Sequence, residues 1–116
     1  MLSNPVLNDA IWSFRNAYKK SKAPVWIALQ EMLERHRSRR IEVNLSKIAK
    51  HTEQGSVVIV PGKVLGSGSI NHKVTLCAFS LSQNAAKKII DSGGKVLSIN
   101  QFVEKFPEGS KVKIIG

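Results

Sequence analysis

Residues 57–60 read VVIV, an uninterrupted run of β-branched and aliphatic side chains near the middle of the chain. Such a run is typical of a strand covered on both faces, because a strand with one wet face alternates apolar and polar residues. Residues 74–79, VTLCAF, form a second run that is largely apolar on both faces. We therefore expect two inner strands of one sheet, with the first at its centre.

Helical patterns precede these strands. Apolar residues recur at helical spacing after three start signals, which are Asn4–Pro5, Pro24 and an Asn44 cap. The second helix should run out near Arg35, and Gly55 should stop the third, whose apolar side carries Leu45 and Ile48. The N-terminal third of the chain is therefore predicted to be helical.

Strands and helices alternate after residue 56. Pro61 should end the first strand, and residues 62–71 lack periodicity and predict a loop. A helix capped by Ser80 or Ser82 should follow the second strand, with Ala85, Ala86, Ile89 and Ile90 inward and Lys87, Lys88 and Asp91 outward. A short strand at 95–97, a capping box from Ser98 to Gln101 with a last helix, and an edge strand, KVKII, complete the chain.

These patterns predict the α/β class: a helical N-terminal third followed by an irregular repeat of short strands and helices, in a single compact domain over residues 1–116. Lys and Arg number 18 against 8 Asp and Glu, which gives a formal charge of +10. A polyanion, above all nucleic acid, is the expected partner of such a surface. No apolar run approaches the roughly 20 residues of a membrane span, so we expect a cytoplasmic protein without a membrane partner.

Catalytic and metal-binding patterns are absent from the sequence. His36, His51 and His72 are scattered over unlike elements, and neither they nor the single Cys77 have metal-ligand spacing. We expect no enzyme, no cofactor and no small-molecule substrate. Cys77 lies in an apolar context that indicates a buried packing role, the alternative being a reactive thiol.

The segment PGKVLGSGSINHK, residues 61–73, fits neither the phosphate loop nor the dinucleotide fingerprint. Its glycines let the backbone approach a phosphate closely, or they serve turn geometry alone. The basic run RHRSRR, residues 35–40, projects toward a partner or is merely solvated. Most aromatic residues are expected in the core, so RNA would be recognised through its backbone and shape rather than by base stacking.

Five motifs occur in one order: NPVL, APVW, RRIEVNLSKIAKHT, VVIVPGKVLGSGSINHKVTLCAF and GGKVLSINQFVEKFPEGSKVKIIG. With these the chain resembles the archaeal and eukaryotic family of large-subunit ribosomal protein eighteen, in its compact archaeal form, over nearly its whole length. The resemblance implies a relative of bacterial large-subunit ribosomal protein fifteen. It also implies a structural, non-enzymatic constituent of the cytoplasmic ribosome that supports translation within a ribonucleoprotein.

The implied partners are large-subunit ribosomal RNA and neighbouring large-subunit ribosomal proteins. The resemblance places RNA contacts at the basic stretch leading into Asn44, Ser46 and Lys47 and at the loop from Gly62 to Gly68. Together with the charge pattern, the expected RNA-binding residues are Arg15, Lys19, Lys20, Lys22, Arg35, Arg37, Arg39, Arg40, Asn44, Ser46, Lys47, Lys50, Gly62, Lys63, Gly66, Ser67, Gly68, His72 and Lys73. A free nucleic-acid-binding regulator and a small basic nuclease are the alternatives from other classes.

Overall fold

Within the described residues, five strands form one sheet in which the strands pair in parallel. The computed structural model describes residues 5–35, 41–109 and 111–116, and of residues 5–8 and 35 only the backbone. The strands are β1 (Glu42–Asn44), β2 (Ser56–Leu65), β3 (Val74–Leu81), β4 (Lys95–Leu97) and β5 (Val112–Ile114). The helices are α1 (Pro5–Ser21), α2 (Pro24–Arg35), α3 (Leu45–Lys50), α4 (Gln83–Asp91) and α5 (Ile99–Lys105). The predicted fold class is confirmed.

Strand β2 is the centre of the sheet, as its sequence predicts. It pairs with β3 along one edge, and along the other with β5 at Val57–Ile59 and with β1 at Lys63–Leu65. Val58, Ile59 and Val60 are fully buried because helices cover both faces of this strand.

The end of β2 differs from the prediction. The strand continues through Pro61 to Leu65, and its register against β3 shifts between Val60 and Lys63. A proline has no N–H to donate, so a strand can accommodate it where the ladder is interrupted by such an irregularity. The loop therefore begins at Gly66 rather than at Gly62. Strand β1, which pairs with this extension, is three residues long and has no sequence pattern of its own.

Two apolar cores lie on opposite faces of the sheet. Val58 and Val60 pack with Leu45 and Ile48 of α3 and with Ala85 and Ile89 of α4. Ile59 and Cys77 pack with residues of α1, α2 and α5. Side chains of a strand alternate between its faces, so this division follows from the sequence of β2.

Among the described residues, helix ends follow the predicted caps with two exceptions; Asn4, the predicted cap of α1, lies outside the described residues. Ser82 accepts a hydrogen bond from the Ala85 N–H, and Ser98 and Gln101 form the predicted capping box. Asn44 occupies the N-cap position of α3, but its side chain makes no capping hydrogen bond. That helix ends at Lys50 rather than at Gly55, since the Thr52 hydroxyl donates to the Ile48 carbonyl and closes its last turn (2.7 Å).

Ile90, which was predicted to face inward, is outside, and so is Trp12, although most aromatic residues were expected in the core. Trp12 is 64% exposed and Ile90 is 59% exposed. Trp26, by contrast, is fully buried, stacks on Phe14 at 5.9 Å and meets Phe102 edge-on at 6.3 Å. The difference reflects position, since Trp12 and Ile90 lie at the margins of the apolar stripes on α1 and α4.

Candidate nucleic-acid interface

The carboxyl ends of the strands meet at one edge of the sheet because the strands are parallel, and open α/β sheets bind ligands at this edge. Here β1 leads directly into α3, and β3 leads through Ser82 into α4. The segment from residue 66 to residue 73 follows β2, the strand between β1 and β3, and therefore starts between α3 and α4. This segment is called the glycine loop below. The loop thus lies beside the first turns of both helices.

The predicted glycines are packed closely against the rest of the protein. A Cβ at Gly66 would lie 2.9 Å from the Asn84 Cβ, and a Cβ at Gly68, where φ is +93°, would lie 2.5 Å from the Ser46 Cβ. Gly62 likewise leaves no room for a side chain beside Ile41. These contacts give the glycines a conformational and packing role, and their contact with RNA stays a prediction.

Hydrogen bonds join the glycine loop to both neighbouring helices. The Ser46 N–H donates to the Ser67 carbonyl (3.1 Å). The Lys88 ammonium donates to the carbonyls of Gly66 (2.7 Å) and Gly68 (2.6 Å). Lys88 was expected to face solvent, but it is half-buried and turned toward the loop. Helical spacing alone cannot predict this contact, because it depends on where the loop lies.

The far end of the loop is also bound within the protein. The Thr52 hydroxyl donates its one hydrogen to the Ile48 carbonyl. It therefore accepts a hydrogen bond from Nε2 of His72, which lies 2.7 Å away. The Lys73 N–H donates to Oε1 of Gln54 (2.9 Å), whereas the Lys73 side chain is exposed. Of these two predicted RNA-binding residues, Lys73 therefore offers an exposed cationic side chain and His72 an imidazole already engaged at one nitrogen.

A group of cations lies on the α3 side of the sheet. Lys47 and Lys50 are exposed in the last turn of α3. Lys113 of β5 pairs in register with Val58, so its side chain lies on the face of the sheet that α3 covers. Its ammonium lies 3.4 Å from the His51 carbonyl. Lys47 and Lys113 line a shallow groove of about 500 Å³. The sequence did not single out Lys113, because only the parallel register of β5 brings it beside α3.

Other predicted residues lie elsewhere. Arg15, Lys19 and Lys20 belong to α1 on the opposite face of the sheet, where Arg15 forms an exposed ion pair with Glu34 (3.8 Å). Lys22 follows α1, and Lys63 alternates with the buried Val64 and so points away from α3. The Arg35 side chain and Arg37, Arg39 and Arg40 lie outside the described residues.

Positive charge is divided unevenly between the two helical layers. Helices α3 and α4 contain four lysines and one aspartate. Helices α1, α2 and α5 contain five Lys and Arg residues against four acidic ones. The excess of positive helical charge therefore lies on the side of the sheet that carries α3 and α4.

The described residues offer little chemistry of other kinds. Among them no group of three or more His, Cys, Asp or Glu residues could hold a metal ion, and no helix has the length and apolarity to cross a membrane. Cys77 is buried as predicted, and burial raises the pKa of its thiol from 9.0 to about 12. The sulfur therefore keeps its proton at neutral pH and is a poor nucleophile.

Comparison with known proteins identifies the family. The sequence profile described as "Ribosomal protein 60S L18 and 50S L18e" matches residues 14–116. The chain belongs to this family. It is 42% identical over 113 residues to large ribosomal subunit protein eL18 of Archaeoglobus fulgidus, covering 97% of each chain. It is 38% identical over 115 residues to the protein of the same name from Methanococcus maripaludis, covering 99% of this chain and 96% of the relative.

Membership of the L18/L18e family confirms the resemblance seen in the motifs and its archaeal form. Members of this family are structural constituents of the large ribosomal subunit and have no enzymatic activity, which confirms the prediction that the chain is not an enzyme. Their place in translation is the cytoplasmic ribosome.

Proposed function

We propose that residues 1–116 form a single domain that binds large-subunit ribosomal RNA through the α3 side of the molecule and the glycine loop, beside neighbouring large-subunit ribosomal proteins. The observation that carries this proposal is the coincidence of two features at one edge of the sheet. The lysine-rich helices α3 and α4 begin there, and so does the glycine loop, which is exposed at Ser67, Gly68 and Ser69.

The binding chemistry is that of phosphate contact. Lys47, Lys50 and Lys113 are exposed ammonium groups on one side of the sheet, and each can replace a counterion on an RNA backbone. Ser67 and Gly68 are exposed between them and α4, with no bulky side chain to hold a phosphate away from the main chain. Such contacts fix the orientation of the protein on the RNA and do not distinguish one base from another.

Two pairs of lysines provide a matched test. The variants are Lys47→Gln with Lys50→Gln on α3, and Lys19→Gln with Lys20→Gln on α1. All four side chains are exposed, and both pairs lie in the last turn of their helices. Each double variant therefore removes the same charge from the same position relative to a helix dipole.

The α3 pair should weaken binding to purified large-subunit ribosomal RNA by roughly 1 to 3 kcal/mol. The salt slope, which is the slope of log affinity against log salt concentration, should fall in magnitude by about one for each phosphate that is no longer neutralised. The α1 pair should cost less, with a smaller change of slope. Equal effects of the two pairs would mean that net charge alone attracts RNA. A larger effect of the α1 pair would move the interface to the opposite face.

A further inference from the structure

Lys88 makes two short hydrogen bonds that the proposed RNA interface has not used. Its ammonium donates to the carbonyls of Gly66 and Gly68, at 2.7 and 2.6 Å. An ammonium has three N–H donors, so most of its hydrogen-bonding capacity is directed into the loop rather than toward a ligand. Its neighbour Lys87 is exposed.

The glycine loop is fixed on both sides by these contacts. Gly66 packs against Asn84 and Ala85 at the start of α4, while Ser67 accepts from the Ser46 N–H at the start of α3. Lys88 reaches across from α4 to the carbonyls on either side of Ser67. Three consecutive carbonyls are thus turned inward, toward the protein.

We infer that Lys88 is a positioning residue: it holds the carbonyls of the glycine loop inward so that the loop meets RNA in one conformation, with its negative carbonyl dipoles directed away from the phosphates. This inference rests on the proposed function of the loop. A segment that is ordered before binding loses less conformational entropy when it binds, and this gain differs physically from a direct phosphate contact.

Lys88→Gln and Lys87→Gln form the test pair, since they are adjacent on α4 and remove the same charge. We expect Lys88→Gln to weaken binding to purified large-subunit ribosomal RNA about tenfold, the scale of ordering one or two side chains. Lys87→Gln should weaken it less. The salt slope of Lys88→Gln should equal that of Lys87→Gln. If Lys88 instead contacted a phosphate, its replacement would lower the magnitude of the slope by about one.

Order in the loop is measured separately on the free protein. Amide hydrogen exchange at residues 67–69 should be faster in Lys88→Gln than in Lys87→Gln, with unchanged exchange in β2 and β3. In the unsubstituted protein, the Lys88 ammonium should exchange its protons with water more slowly than that of Lys87, which tests the hydrogen bonds without any variant.

The outcomes separate this inference from the proposed function. If the loop loosens in Lys88→Gln while RNA affinity equals that of Lys87→Gln, the inference is overturned and RNA binding by the α3 lysines is untouched. Fast ammonium exchange at Lys88 in the unsubstituted protein would also overturn it. Failure of the unsubstituted protein to bind the RNA at all would overturn the proposed function instead.

Discussion

Trp26 and Trp12 show how one residue type takes opposite roles within two adjacent helices. Trp26 is fully buried between Phe14 and Phe102, and its indole N–H donates to the Pro107 carbonyl (2.7 Å). This bond joins α2 to the turn after α5 and satisfies the one polar group of the side chain. Trp12 is 64% exposed on α1.

Replacing each tryptophan by alanine should therefore give very different stabilities. Trp26→Ala leaves a cavity and an unpaired carbonyl, and should lower the free energy of unfolding by about 3 to 5 kcal/mol. Trp12→Ala should change it by about 0.5 kcal/mol or less. Urea unfolding of both variants measures the difference in the free energy of unfolding, provided that the two variants have the same m-value. Similar destabilisation by both would show that Trp12 packs against the protein in solution.

The sequence predicts residue environments well at the centre of an apolar stripe and poorly at its margin. Phe14, Leu29 and Ile89 lie within such stripes and are fully buried as expected. Ile90 and Trp12 lie beside them, where a rotation of the helix by a fraction of a turn decides burial. That rotation depends on the partner elements, which periodicity within one helix does not describe.

At the scale of elements, the glycine loop depends on its neighbours for its shape. Gly68 and Gly55 have nearly the same positive φ, +93° and +87°. A Cβ at Gly68 would meet Ser46 at 2.5 Å, whereas nothing lies within 4 Å of a Cβ at Gly55. Both glycines thus have a backbone conformation that would strain an alanine, and they differ in how closely they are packed.

Gly55→Ala should lower the free energy of unfolding by about 1 kcal/mol, because alanine is strained at positive φ. Gly68→Ala should lower it by roughly 1 to 3 kcal/mol more, since its methyl group must displace the start of α3. Chemical denaturation of both variants measures this difference. Equal destabilisation would mean that the loop yields freely and is not held against α3.

Elements with a local signal were predictable, and elements that depend on tertiary pairing were not. Helix α5 was predicted from its capping box, because its start is set by residues within one turn. Strand β1 and the extension of β2 to Leu65 stabilise each other through their pairing, and neither has a pattern alone. The same holds for the proposed interface. Lys47 and Lys73 were singled out from the sequence, whereas Lys113 and Lys88 take their places from strand register and loop position.

At the scale of the whole molecule, the distribution of charge matters more than its sum. The shortest dimension of the protein is 19 Å. The Debye length at physiological salt is about 8 Å, so the two helical layers are largely screened from each other. A polyanion at one face therefore responds mainly to the charges of that face, and the formal charge of +10 does not describe either face.

Lysine acetylation with and without purified large-subunit ribosomal RNA should reveal which face binds. We expect the α3 side, represented by Lys47, Lys50 and Lys113, to be protected in the complex. Lys19, Lys20 and Lys105, on α1 and α5, should react as in the free protein. At about 1 M salt, where the Debye length falls to about 3 Å, protection should disappear. Protection confined to Lys19 and Lys20 would assign RNA binding to the α1 face, and uniform partial protection of all six would indicate non-specific binding by charge.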